Sequence, residues 1–194
     1  MRLFVALDID EAIRERIARF VDGVRGFAPE ARWMRSESLH VTLKFIGEVA
    51  SEGIDAIQGV LAGVRGEAIA LEFRGCGFFP NPKSARVFWI GLQGGEPLAG
   101  LAGSVDRALE AVSIPREKHA YTPHLTLARG AGGSGAPRWP KGDHETSRFA
   151  KLQQKLASLT AEFGTMTARE FFLYQSQLSP KGSRYTKVAR FGLG

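Results

Sequence analysis

The chain has 194 residues, 44% hydrophobic and 24% charged, which is the make-up of a globular protein with a sizeable core and excludes a disordered or fibrous one. A formal net charge of +6 favours a polyanionic partner such as RNA, since Lys and Arg gain by displacing counterions from phosphates. The single cysteine, Cys76, excludes an internal disulfide and a multi-cysteine zinc site.

In chain order, residues 2–7 read as a buried strand. The apolar run ends at Asp8 and Asp10, short of a signal core or a membrane span, so a cytoplasmic protein without a membrane segment is expected. Residues 10–24 form an amphipathic helix with Ile13, Ile17, Phe20 and Val21 on one face and Asp8 or Asp10 as its cap. Residues 39–46 alternate as a half-buried strand, residues 51–64 carry helical spacing, and two strands over 69–78 and 86–92 flank the turn Phe79-Pro80-Asn81-Pro82. The second half repeats the order. A helix over 97–112 precedes a strand at His124, a helix covers 145–159, and strands over 165–178 and 185–191 flank the turn Ser179-Pro180-Lys181-Gly182.

His40-Val41-Thr42-Leu43 returns as His124-Leu125-Thr126-Leu127, 84 residues on, and Arg2-Leu3-Phe4 returns at the same offset as Arg86-Val87-Phe88. We read an internal duplication, with halves of roughly 1–92 and 86–194 in a single bilobal domain, strands exchanged between lobes being one way to join them. In a strand, His and the Thr two residues later share a face. Two imidazoles supply an acid and a base near neutral pH, and two hydroxyls bind the oxygens of a phosphate between them. The predicted fold is α+β: two pseudo-two-fold-related lobes, each with a small antiparallel sheet backed by helices, and an active-site cleft between them. The glycine-rich stretch 130–143 breaks the repeat and carries Arg138, Trp139 and Lys141, suited to RNA contact.

The stretch Trp33-Met34-Arg35, then Leu39 to Glu48, Tyr121-Thr122-Pro123-His124-Leu125-Thr126-Leu127-Ala128-Arg129 and the closing Ser183-Arg184-Tyr185 resemble the RNA 2′,3′-cyclic phosphodiesterases, formerly called 2′-5′ RNA ligases. These belong to the two-histidine (2H) phosphoesterase superfamily. The resemblance implies a bilobal fold, no metal and no cofactor, and hydrolysis of RNA or nucleotides with 2′,3′-cyclic phosphate ends to the 2′-phosphate, with reverse 2′-5′ ligation. It carries the catalytic histidines to His40 and His124 and the phosphate-binding threonines to Thr42 and Thr126.

Cleaving the P–O3′ bond needs a base for water and an acid for O3′ on opposite sides of phosphorus. We assign His40 as proton donor and His124 as proton acceptor, and pseudo-symmetry leaves the reverse open. Arg129, five residues after His124, falls on the opposite face of a regular strand and reaches a phosphate only if the backbone turns. Phe45, Phe79 and Tyr185 are candidates for contact with base and sugar, and Lys83, Arg86, Lys181 and Arg184 for an RNA backbone. His119 and His144 read as surface residues. The alternatives are a related 2H enzyme acting on 2′-5′ oligonucleotides, ADP-ribose cyclic phosphate or RNA 3′ ends, a metal hydrolase lacking an evident third ligand, and a non-catalytic RNA-binding module. A monomer is expected.

Overall fold

The computed structural model describes residues 1–130, 148–179 and 182–194. Strand β1 (Arg2–Leu7), helix α1 (Glu11–Val24), the two-residue β2 (Arg32–Trp33), β3 (Val41–Glu48), α2 (Ile54–Ala62), β4 (Ile69–Phe79) and β5 (Val87–Gln93) make the first part. Then follow α3 (Gly95–Glu110), β6 (His124–Arg129), α4 (Ala150–Leu156), β7 (Glu162–Ala168), β8 (Glu170–Ser179) and β9 (Gly182–Gly192). Two antiparallel sheets result, ordered β3-β1-β8-β9 and β2-β6-β5-β4-β7, each drawing strands from both halves of the sequence.

The expected elements occur with their ends shifted by a few residues, some shortened and some, such as β9, extended, and with three differences. The expected single strand over 165–178 is two: β7 pairs with β4 in the larger sheet, and after Arg169 the chain crosses to pair with β1 as β8. Strand β2 was not foreseen, since two residues carry no periodicity. Asp10 precedes α1 but makes no side-chain cap bond, and Asp8 instead accepts from the Ile9 amide at 2.9 Å and from Arg14 Nη2 at 2.8 Å. The stretch 130–143, with Arg138, Trp139 and Lys141, lies almost wholly outside the described residues, as do His144, Lys181 and the expected start of the fourth helix.

The sheets abut along β3 and β6, and one continuous core runs beneath both. Val41 and Leu43 from one strand and Leu125 and Leu127 from the other enter that core, each contributing about 2 kcal/mol by leaving water. Helix α1 packs on β7 through the edge-on pair Phe20–Phe163, and Arg16 donates to Phe163 O at 2.9 Å. Helix α3 packs under β3, where Lys44, 3% exposed, donates to Asp106 Oδ1 and to Pro115 O, both at 2.7 Å, with Glu117 Oε1 at 3.3 Å. Asp106 also accepts from the Glu117 amide at 3.1 Å and Arg116 Nε at 3.2 Å. The buried ammonium thereby donates two hydrogen bonds and pairs with a second carboxylate, and the segment entering the second His strand is tied to the first.

Burial raises the Asp106 pKa, but Lys44, the Glu117 amide and Arg116 outweigh it and hold the carboxyl below its ordinary value. Its folded pKa being depressed, the stability it lends is full above the unfolded value and is lost as pH falls through the folded one. Lys44→Met is expected to cost about 3 kcal/mol by leaving a buried carboxylate short of its partner, and adding Asp106→Leu to return much of the loss. Urea denaturation at pH 7 measures both, and equal stability of Lys44→Met and the unaltered protein would refute the strut.

Candidate active site

His40 immediately precedes β3 and His124 opens β6, and the backbone before each folds alike. His40 Nδ1 lies 2.8 Å from the Ser38 carbonyl oxygen, and His124 Nδ1 lies 2.8 Å from the Thr122 carbonyl oxygen. A carbonyl only accepts, so each Nδ1 carries the proton and donates it, which leaves Nε2 as the free nitrogen of a neutral ring. The first loop is braced from α1, since Arg14 Nη1 donates to Ser36 O and, at 3.4 Å, to Leu39 O.

Both strands bulge at the same place. Ala6 pairs with Thr42 and Val5 with Lys44, so Leu43 is the extra residue on β3; Trp89 pairs with Thr126 and Phe88 with Ala128, so Leu127 is the extra one on β6. Two consecutive residues in each strand therefore enter the core, Leu43-Lys44 and Leu127-Ala128. Alternation restarts one residue late, and Phe45 and Arg129 emerge on the face that holds His40, Thr42, His124 and Thr126. The regular strand would have hidden Arg129, so the expectation that a turn was needed is replaced by a bulge.

Burial first, then the Arg129 guanidinium, pull down both imidazoles, and His124 lowers His40 further. Against these, the Ser38 carbonyl and Asp8 raise His40, but its pKa is still lowered to about 4; His124 is lowered despite the Thr122 carbonyl. The structure thus brings His40, His124 and Arg129 within electrostatic reach of one another. Both rings are neutral at pH 7 in the free protein.

Aromatic rings hold each imidazole edge-on. Tyr185 meets His40 at 5.0 Å and 88°, and Phe79 meets His124 at 4.9 Å and 88°. Under His40 lies a floor separate from the main core, made of Phe4, Ala6, Phe172 and Tyr174, with Phe4 4.7 Å from the imidazole. On the facing sheet the Trp89 indole lies over Gly77, where a Cβ would collide with the ring. Tyr121 Oη donates to Thr42 O at 3.1 Å, tying the segment before His124 to the strand after His40. At the end of β1, Asp8 bonds Lys187 Nζ at 2.5 Å beside this floor.

The aromatic floor was missed in sequence, although Phe172 and Tyr174 alternate in a run read as a strand. The carbonyl partners of the histidines, Tyr121 and the Lys44–Asp106 pair carried no local signal. Lys83, Arg86 and Arg184 are exposed around the two turns. Among the described residues, no group of three or more His, Cys, Asp or Glu stands together as a metal site would require, and no helix is long and apolar enough to cross a membrane.

The sequence model of the LigT-like phosphoesterases matches this chain twice, over residues 7–89 and 90–185. A protein of Archaeoglobus fulgidus named RNA 2′,3′-cyclic phosphodiesterase is 35% identical over 191 residues, covering 98% of this chain and 99% of its own. One of the same name from Methanothermobacter thermautotrophicus is 32% identical over 195 residues, covering 100% and 99%. The crystal structure of E. coli LigT complexed with 3′-AMP superposes with a TM-score of 0.76 at 27% identity, covering 99% of this chain and 97% of that one. Matched nearly end to end by that model and by these relatives, the chain belongs to the LigT-like phosphoesterase family.

Proposed function

We propose that this protein is an RNA 2′,3′-cyclic phosphodiesterase that opens the cyclic phosphate at an RNA or nucleotide end to a 2′-phosphate. The observation that carries the reading is the pair of imidazoles, each with Nδ1–H held by a carbonyl two residues back, Nε2 free and a Thr hydroxyl on the same face. The relatives' names supply the substrate class. 2′-5′ ligation is the same displacement with an RNA 5′-hydroxyl in place of water: its oxygen bonds to phosphorus as the P–O3′ bond breaks, leaving a 2′-5′ diester and a free 3′-hydroxyl.

In this reading His124 Nε2 takes a proton from water as its oxygen attacks phosphorus. The P–O3′ bond breaks on the far side, and His40 Nε2–H gives its proton to O3′, so the products are a 2′-phosphate and a free 3′-hydroxyl. A depressed pKa makes the His40 imidazolium a strong donor, and the anionic substrate supplies the charge that stabilises it. Thr42 and Thr126 hydroxyls and the Arg129 guanidinium bind the non-bridging oxygens, where charge builds in the transition state. Tyr185 and Phe45 contact sugar and base. The reading takes residues 1–194 as one bilobal unit built from two repeats, acting as a monomer in the cytoplasm without a cofactor.

The direct test is the product formed from cytidine 2′,3′-cyclic phosphate in the presence of EDTA, resolved by phosphorus NMR. The expected product is the 2′-phosphate with turnover unaffected by the chelator; a 3′-phosphate, or activity that EDTA removes and zinc or manganese restores, contradicts the mechanism.

Replacing His40 or His124 by Ala is expected to lower kcat by about 10²-fold or more without unfolding the protein, and the double variant to lose little beyond either single one. A cyclic substrate whose 3′ leaving atom is sulfur departs without protonation, so it should rescue His40→Ala and leave His124→Ala impaired. Rescue of the other variant reverses the donor and acceptor. Because both free-enzyme imidazoles are pulled below the ordinary value of 6.5, one of them must gain a proton before reaction, and kcat/KM is expected to fall as pH rises from mildly acidic to 8. A kcat/KM profile that instead climbs up to pH 8 would refute the electrostatic account.

A further inference from the structure

Apart from Phe45 at its inner end, the groove beside the outer edge of β3 has no part in the mechanism above. It is an open groove of about 360 Å³, within the range of roughly 300–1,000 Å³ typical of ligand sites, and its lining includes Phe45, Ile46, Pro115, Arg116, Glu117 and Lys118. We propose that it is the subsite for the nucleotide on the 5′ side of the cyclic end, which makes an RNA terminus a better substrate than a free cyclic nucleotide. The proposal rests on the phosphodiesterase reading and adds where the rest of the RNA goes.

The groove exists because the two halves differ there. In the second His strand the outer edge is covered: β2 pairs with β6, Arg32 opposite Arg129 and Trp33 opposite Ala128, and the Met34 amide donates to Leu127 O at 2.8 Å. Shifted by the repeat offset, residues 114–119 stand where 30–35 do, and β3 stands where β6 does. Yet β3 ends its sheet, and among the described residues no backbone hydrogen bond joins 114–119 to it. Lys44 occupies the position of Ala128, and its longer side chain takes the Pro115 carbonyl at 2.7 Å in place of a backbone partner. A strand-wide slot is left along the edge.

Its chemistry fits single-stranded RNA. The bulge turns Phe45 outward, leaving it 56% exposed, an aromatic face that accepts any base. Phe45 lies 6.2 Å from Phe4, which lies 4.7 Å from His40, so the slot continues the floor under the histidine. Arg116 and Lys118 are exposed cations at its rim, with Arg116 oriented by its Nε bond to Asp106 at 3.2 Å. The carboxylate of Glu117, which would repel a phosphate, is drawn to the buried Lys44 ammonium at 3.3 Å. His119, set aside from sequence as a surface residue, also lines the slot.

The test compares cytidine 2′,3′-cyclic phosphate with a tetraribonucleotide ending in that same nucleotide, using the unaltered protein, Lys118→Glu and Lys118→Arg. The unaltered protein should favour the tetranucleotide in kcat/KM. Lys118→Glu should cut that preference about fivefold and flatten its dependence on log salt by about 0.7, one phosphate contact, with Lys118→Arg keeping both. Fluorescence anisotropy with a labelled tetranucleotide lacking the cyclic phosphate gives a readout independent of turnover, and Lys118→Glu and Phe45→Leu should each weaken binding. Equal tetranucleotide preference and equal affinity in Lys118→Glu overturn the subsite. Absence of turnover on both substrates, with the anisotropy difference intact, overturns the phosphodiesterase reading and leaves the subsite standing.

Discussion

A one-residue bulge placed identically in two strands governs this structure. Strand alternation alone puts His and Thr on one face and sends every second residue to the core. By inserting Leu43 in one strand and Leu127 in the other, the fold buries two consecutive residues and brings a third side chain, Phe45 or Arg129, to the face that carries the histidine. The same device yields different chemistry in each half: a guanidinium beside one histidine and an aromatic surface beside the other. The repeated His-x-Thr places an imidazole and a hydroxyl in each half, and the residue after each bulge makes the two halves differ.

The second consequence of the bulge lies on the core side. Ala128 fills its place with a methyl group and lets β2 close over the strand edge. Lys44 in the equivalent place needs a carboxylate and a carbonyl, which it finds in Asp106 and Pro115. That demand draws α3 and the segment leading to His124 toward the first His strand. The Tyr121 hydroxyl bond to Thr42 O adds a second tie of the same sense. The relative position of the two imidazoles is therefore set by polar contacts reaching from one repeat into the other, atop a shared apolar core.

Much of this was legible in the sequence. The repeated His-x-Thr-Leu at a constant offset identified both strands, the face shared by His and Thr, and the α+β architecture, because period-two alternation depends only on local geometry. The bulges were not legible, since Leu43-Lys44 and Leu127-Ala128 read equally well as continued alternation followed by a loop. Arg129 was consequently placed on the wrong face of a regular strand. The burial of Lys44 carried no local signal because its partner stands 62 positions away on α3. The crossing at Arg169 was hidden for a related reason: both sides of it have strand character, and only pairing with distant β4 and β1 separates β7 from β8.

The electrostatic state of the free site follows from the same geometry. Burial first, and then the Arg129 guanidinium, hold both imidazoles below their ordinary value, and His124 lowers His40 further, so the free site favours neutral histidines. Nitrogen-15 NMR of the histidine side chains tests this most directly. At pH 7 the free protein should show His40 and His124 as neutral rings protonated at Nδ1 and bare at Nε2, and saturation with a nucleoside 2′-phosphate should convert at least one of them to the doubly protonated form. A proton on Nε2 of either neutral ring, or histidine signals that ignore the phosphate, would contradict the account.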